Sequence, residues 1–331
     1  MQTAENKVTK ILVTGATGNV GSRVVRELRE RGASVRAFAR DTAKAAKVLG
    51  DGVELASGDF SDAVSVRRAL KGVEGVFLAC ANGPRQVEYE TGLIDAAREA
   101  GVRRIVKLSA LGAEVGSPVA FWEWHGRIEE HLRASGVPAV VLRPTFNMTN
   151  LLGSAEQVRH AGSLFAPAGG ARVAMIDPAD VAAVAAVALT EDGHDGRAYT
   201  LTGPEAISFE RVAEGLSAAT GRRVRYVSVP DEAARQGMIE QELPEFVATQ
   251  IVAIFGFLRR GDQDETTDGV RALTGYEPRP FARFAREHAG LLSSSDTPAS
   301  LGPGSLPEAA RNAGGSNRRR EEAIGARTNG A

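Results

Sequence analysis

Residues Lys10–Val24 read KILVTGATGNVGSRV, and this stretch decides the fold. A β-rich run, Ile11–Thr14, leads directly into glycines at 15, 18 and 21, and a helix is expected to start near Asn19. In a strand–turn–helix context each glycine has a physical reason. Gly15 permits the tight turn, Gly18 lets the backbone approach a pyrophosphate, and Gly21 allows close packing of helix on strand. The helix N-terminus then offers unpaired N–H groups and a partial positive charge to phosphates. Gly15, Ala16, Thr17, Gly18, Asn19, Val20 and Gly21 are therefore the candidate phosphate-binding residues. A purely structural glycine turn is the competing reading.

Outward from this loop, short β-rich runs alternate with helical segments, the pattern of a parallel sheet covered on both faces. Strands are predicted at Ile11–Thr14, Ser34–Ala39, Val53–Ala56, Gly75–Cys80, Arg104–Leu108 and Ala139–Leu142. Helices are predicted near Val20–Arg31, Thr42–Leu49, Ala63–Leu70, Gln86–Ala100 and Val119–Ser135, several ending at a glycine suited to a left-handed cap. Beyond Pro144 come helices near Pro178–Thr190 and Phe209–Thr220, strands near Tyr199–Thr202 and Val224–Val229, and further helices to Leu292. The fold class is α/β: a doubly wound parallel Rossmann sheet (residues 1–150) with a smaller α/β C-terminal lobe (151–292) integrated with it. Residues 293–331 hold 15 Gly, Pro or Ser and no aromatic, so they are expected to form a disordered tail.

Composition narrows the function. Hydrophobic residues make up 43% of the 331, enough for a large core, and the formal net charge is −1. There is no global field to attract nucleic acid or an anionic membrane surface. Cys80 is the single cysteine, which suits a reducing, cytoplasmic setting. No apolar run reaches the roughly 18 residues of a spanning helix. The five histidines form no metal-ligand spacing, and no G-x-S-x-G nucleophile elbow is present.

Cofactor choice is read at the end of the second strand. An acidic residue there would bind a ribose 2′-hydroxyl, but this chain has Arg40, with Lys44 one turn on. Together they would make a cationic pocket for a 2′-phosphate, which points to NADP(H). Asp41 could bind the hydroxyl instead, although it is better explained as the cap of the next helix. Asp59 and Phe60, after the third strand, are placed to flank the adenine.

These features resemble the NmrA-like branch of the atypical short-chain dehydrogenases/reductases, over roughly Val8 to Leu292. The resemblance rests on TGATGNVG, the Arg40–Lys44 pair, GDFSD (Gly58–Asp62) and HGRIEEHLRASG (His125–Gly136). It continues through LRPTFNMTNL (Leu142–Leu151), IDPADVAAVA (Ile176–Ala185) and YTLTGPEAISFERVA (Tyr199–Ala213). It implies NADP(H) along the carboxyl edge of the sheet and substrate under the C-terminal lobe. Members of that family include quinone reductases, reductases of aromatic secondary metabolism and redox-sensing regulators.

The wider superfamily carries a Tyr-x-x-x-Lys pair on the helix after the fifth strand, and those positions fall here at Phe121 and His125. Phenylalanine has no proton to give. Ser109 matches the family serine. His125 is a candidate acid or ribose ligand because an unperturbed imidazole titrates near working pH, with Glu129 one turn on to orient or charge it. A packing histidine is the alternative. Ala79, Cys80 and Ala81 fall near the nicotinamide ribose, with Cys80 most simply a space filler. The resemblance places Pro144, Thr145, Phe146 and Asn147 by the nicotinamide. Trp122, Trp124, Asn147 and Asn150 are candidate substrate contacts, with core packing or loop capping as the plain alternatives. Asp180 reads as a buried structural carboxylate.

Three functions follow. One is an NADPH-dependent reductase of a flat conjugated molecule, a quinone or a polyketide-like aromatic, working without the usual Tyr–Lys pair. The second is a non-catalytic NADP-binding sensor that engages a protein partner. The third is an oxidative or reductive coupling or an isomerisation in secondary metabolism. Whether the chain forms a homodimer is open.

Overall fold

The structure is a computed structural model that describes residues 9–293. The expectation of a disordered tail lies outside those residues.

The glycine-loop unit opens the fold. Strand β1 (Lys10–Val13) is followed by α1 (Gly21–Glu30), β2 (Ser34–Ala39), α2 (Thr42–Leu49), β3 (Glu54–Ser57), α3 (Ala63–Leu70) and β4 (Gly75–Leu78). Next come α4 (Gln86–Glu99), β5 (Arg104–Leu108), α5 (Ala120–Ser135) and β6 (Ala139–Pro144). The second half holds a 3-10 helix (Met148–Ser154), α6 (Ala155–Ala161), β7 (Ser163–Ala166), β8 (Arg172–Val173), α7 (Pro178–Thr190) and β9 (Ala198–Leu201). It ends with β10 (Ile207–Ser208), α8 (Phe209–Thr220), β11 (Arg225–Ser228), α9 (Asp231–Glu240), α10 (Glu245–Arg259), α11 (Gly269–Thr274), α12 (Phe281–Glu287) and α13 (Ala289–Ser293).

Seven strands form one sheet in the order β3-β2-β1-β4-β5-β6-β9, with every neighbouring pair parallel. Because all seven run the same way, the loops that follow β1 to β6 open on one edge. The order reverses between β1 and β4, and the crevice at such a switch point is where open α/β sheets bind ligands. Alternation sorts the core into two faces. Ile11, Val13 and Phe77 pack with α1 and α7, whereas Leu12, Val76 and Leu78 pack with α3, α4 and α5.

The division at residue 150 needs correction. Helix α7 and strand β9 both come from the segment assigned to the second lobe, yet β9 completes the sheet beside β6. Helix α7 lies against α1 with every residue from Pro178 to Leu189 buried. Its run of alanines keeps that approach close. What remains is a lobe with its own apolar cluster, including Leu164, Val173, Phe209, Phe255 and Phe284, around two small two-stranded sheets. The 3-10 helix, α6, β7, β8 and β10 were not legible as elements, since each is short and lacks a repeating apolar period. No helix among the described residues is long and apolar enough to cross a membrane.

Candidate functional site

The loop after β1 is shaped by its glycines. Gly15 has φ +59°. The Gly18 N–H donates to the Gly15 carbonyl at 2.9 Å, closing the turn. A Cβ on Gly21 would stand 2.2 Å from that same carbonyl oxygen, so the third glycine serves the turn itself more than helix–strand contact. Helix α1 starts at Gly21, two residues later than expected, and its cap residue Val20 offers no side-chain bond. Among the described residues, the N–H groups of Thr17, Asn19 and Val20 find no protein acceptor. Unpaired donors at a helix N-terminus fit a dinucleotide pyrophosphate. The Thr14 hydroxyl ties this loop to the end of β4, donating to the Ala79 carbonyl at 2.9 Å and accepting from its N–H at 2.8 Å. Asn19 reaches across to Thr149 at 3.4 Å, joining the loop to the segment after β6.

At the ends of β2 and β3, Arg40 faces Asp59 at 3.8 Å, both partly exposed. Asp59 also accepts from the Ser61 N–H (2.8 Å) and hydroxyl (2.5 Å). Partial burial opposes its charge, but the Ser61 bonds and Arg40 outweigh it and hold the carboxyl below its ordinary value. Asp41 caps α2 by accepting from the Lys44 N–H at 2.8 Å, which favours the structural reading of that acid. The Lys44 residue is exposed. Phe60 stacks on Tyr89 at 6.0 Å, and Arg85 sits 4.7 Å over the Tyr89 ring, giving a flat wall beside Asp59. Cys80 follows β4 between Ala79 and Ala81; burial, then the charge of Glu90, pushes its thiol up to about 12. It is a neutral filler at working pH.

The ends of β5 and β6 carry a buried polar cluster that changes the reading of α5. Ser109 donates to Glu129 at 2.5 Å, and Glu129 is also held by Arg143, with Nε at 3.1 Å from the same oxygen. Glu129 therefore does not orient or charge His125. His125 is instead 3.2 Å, at Nδ1, from Nζ of Lys107, which also pairs with Glu90 at 2.8 Å. Burial first, and Lys107 second, hold the imidazole well below its ordinary pKa. The expectation of a histidine poised near working pH is thus corrected: His125 is neutral there. A lysine ammonium can only donate, so Nδ1 accepts and the ring proton sits on Nε2.

After β6 the loop is committed to internal bonds. The Thr145 N–H donates to the Leu201 carbonyl (3.0 Å) and the Phe146 N–H to the buried Gln263 side chain (2.8 Å). Asn147 accepts from the Thr149 N–H (3.0 Å) and hydroxyl (2.8 Å), so its carbonyl oxygen caps the 3-10 helix. Thr145 and Phe146 thus have no backbone donor to spare for a nicotinamide. Asn150 is exposed. Asp180 is fully buried and accepts from the Arg279 N–H at 2.7 Å, the structural role expected of it.

The tryptophans separate. Trp122 is buried, 4.7 Å edge-on from Phe257 and pressed on Gly112, so it packs the α5–α10 junction. Trp124 is half-buried and stacks on Phe246 at 5.9 Å and 25°, while Phe246 remains 46% exposed. Phe121 touches both rings, at 5.5 and 6.3 Å. This open-edged aromatic face could receive a flat molecule.

Lys107, Glu90, Phe246 and Gln263 were missed. Lys107 and Glu90 did leave a signal: a lysine in the apolar run RIVKL, and a glutamate on the α4 stripe shared with Leu93, Ile94 and Ala97. Phe246 and Gln263 reach the site through long-range packing that no local pattern encodes.

The NmrA-like family model matches residues 7–280. An NAD(P)H azoreductase of Xenophilus azovorans is 39% identical over 86% of this chain and 100% of its own length. A (4-alkanoyl-5-oxo-2,5-dihydrofuran-3-yl)methyl phosphate reductase of Streptomyces griseus is 40% identical over 84% of this chain and 98% of its own. Among solved structures, an NADPH-dependent quinone oxidoreductase of Escherichia coli, complexed with NADPH, superposes with a TM-score of 0.77 at 27% identity. That match covers 84% of this chain and 99% of the other.

Proposed function

The chain belongs to the NmrA-like family, and on that premise we propose that it is an NADPH-dependent reductase of flat conjugated acceptors, quinones, azo compounds and polyketide-like aromatics of secondary metabolism among them. The observation that carries this reading is the half-open Trp124–Phe246 stack between α5 and α10, together with a glycine loop whose donors are unsatisfied. NADPH, when bound, supplies the hydride. The loop Gly15–Gly21 holds the pyrophosphate, Arg40 and Lys44 take the 2′-phosphate, and Phe60 with Asp59 flanks the adenine. Its single thiol suits a reducing compartment.

The chemistry follows from what the side chains can do. Phe121 stands where the superfamily has its tyrosine, and Ser109 is bound to Glu129. Neither gives a proton to an alcohol–ketone couple. A conjugated acceptor needs less help, because charge arriving with the hydride spreads over the ring and water can complete protonation. A preorganised donor to that charge is then sufficient. The relatives' names, azoreductase and quinone oxidoreductase, support acceptors of this kind.

The test is steady-state NADPH oxidation with a panel of quinones, azo dyes and simple ketones. Turnover is expected with the first two and not with the ketones. Tight NADPH binding with no turnover on any acceptor would replace this reading with that of a sensor.

A further inference from the structure

The buried group behind His125 has no part in the chemistry above. Lys107 occupies a core position on the face of β5 covered by α4 and α5, two residues after the buried Ile105. Both Lys107 and Glu90 are fully buried. Nζ of Lys107 lies 2.8 Å from Glu90 and 3.2 Å from Nδ1 of His125, and it also donates to the Leu108 carbonyl. An ammonium has three donors; the Leu108 carbonyl and His125 take two, and Glu90 faces the group as an ion pair without hydrogen-bond geometry. Such a pair is weak evidence for stability, since apolar residues of similar volume hold a core as well or better.

We propose that Lys107, held in place by Glu90, is a positioning residue for the reductase: it fixes His125 as a neutral Nε2–H donor to the negative charge that develops on the acceptor. The inference rests on the reductase reading above. Lys107 donates to Nδ1, so the ring proton must lie on Nε2. A second proton on Nδ1 would break that bond and set two cations side by side. The other titratable groups nearby do not counter this. Glu90 of α4 is engaged by Lys107 and by Gln86 at 3.0 Å, Cys80 after β4 stays protonated, and Glu129 of α5 is taken by Ser109 and Arg143. A neutral imidazole donor of this kind polarises an oxygen without having to titrate. In the reaction both electrons arrive with the hydride, Nε2–H hydrogen-bonds the acceptor's oxygen or nitrogen, and the final proton comes from water.

Changing Lys107 alone would leave the buried Glu90 carboxyl, which burial already pushes up, without its cationic partner, so the informative variant is Lys107→Met with Glu90→Gln. Two readouts decide. In ¹⁵N-histidine NMR of the whole chain, with His125→Phe to assign the signal, wild-type His125 should carry its proton on Nε2 and not titrate between about pH 5 and 8. In the double variant the signal should lose the fixed tautomer, while burial still holds the ring below its ordinary pKa. A wild-type Nδ1–H tautomer, or titration in that range, overturns the proposal whether or not the protein has activity. In assays with a 1,4-naphthoquinone, the folded double variant should lose at least about tenfold in kcat, with KM for NADPH unchanged. An undiminished kcat overturns the positioning role and leaves the reductase reading intact. Absent turnover in the wild type sinks that reading and this role together, while the NMR still decides the tautomer.

Discussion

Adding one methyl group at position 21 should damage cofactor binding more than its size suggests. The Cβ of Gly21→Ala would stand 2.2 Å from the Gly15 oxygen, 2.7 Å from its carbon and 3.1 Å from the Ala16 Cα. Real Cβ contacts essentially never fall under 3.0 Å, and all three neighbours are backbone that cannot rotate aside. The start of α1 must therefore separate from the turn by close to an ångström. Overpacking of this kind costs about 1–3 kcal/mol. Where the strain is relieved by moving the loop donors, it appears as a 10- to 100-fold rise in the Kd for NADPH, on the order of 1.4–2.8 kcal/mol. Where the loop holds, it appears in stability, with Tm falling by about 2–4 °C per kcal/mol. Calorimetric titration with NADPH and a thermal melt on the same protein separate the two. Gly18→Ala is the comparison, since its Cβ meets the Gly15 oxygen at 3.2 Å and needs only a small adjustment. Gly21→Ala with wild-type Kd and wild-type Tm would refute the reasoning.

Other changes test other parts of the site. Arg40→Ala should remove a charge partner of the 2′-phosphate, worth about 2–5 kcal/mol, so calorimetry should show NADPH affinity falling at least about 30-fold and NADH affinity nearly unchanged. Trp124→Ala should raise the KM for quinones about 2- to 10-fold, from about 0.5–1.5 kcal/mol of lost stacking, without altering the KM for NADPH. Burial lifts the Asp180 carboxyl from 3.8 to about 6. A group raised on folding stabilises below its unfolded value and loses that contribution as pH rises through its folded one. Melts should therefore show this share of stability disappearing between about pH 4 and 6, and Asp180→Asn, which keeps an acceptor for the Arg279 N–H, should flatten that slope.

How far the sequence carried the argument depended on the range of the interaction. The glycine loop, the sheet and helices such as Thr42–Leu49, Ala63–Leu70 and Pro178–Thr190 were readable because period, caps and turn chemistry are local. Left-handed caps at Gly32, Gly101 and Gly136 follow from the same local chemistry. The seventh strand was readable as a strand but not as a member of the sheet, because strand order is a long-range property. At the site, Glu129 lies one helical turn from His125, and spacing alone suggested a pair. Side chains from β5 and β6 settled the partners otherwise: Arg143 and Ser109 took Glu129, and Lys107 took His125. The histidine's pKa could not be read from its neighbours in sequence, since burial dominates it and a lysine 18 residues away adds to it.

The central claim is hydride transfer from NADPH to a flat acceptor. Its most direct test is rapid mixing of the NADPH-bound protein with a 1,4-naphthoquinone, using NADPH and NADPH deuterated at the transferring carbon. Nicotinamide absorbance should fall in one-to-one step with quinone reduction, and more slowly with the deuterated cofactor. Tightly bound NADPH whose absorbance does not change when quinone is added would contradict it.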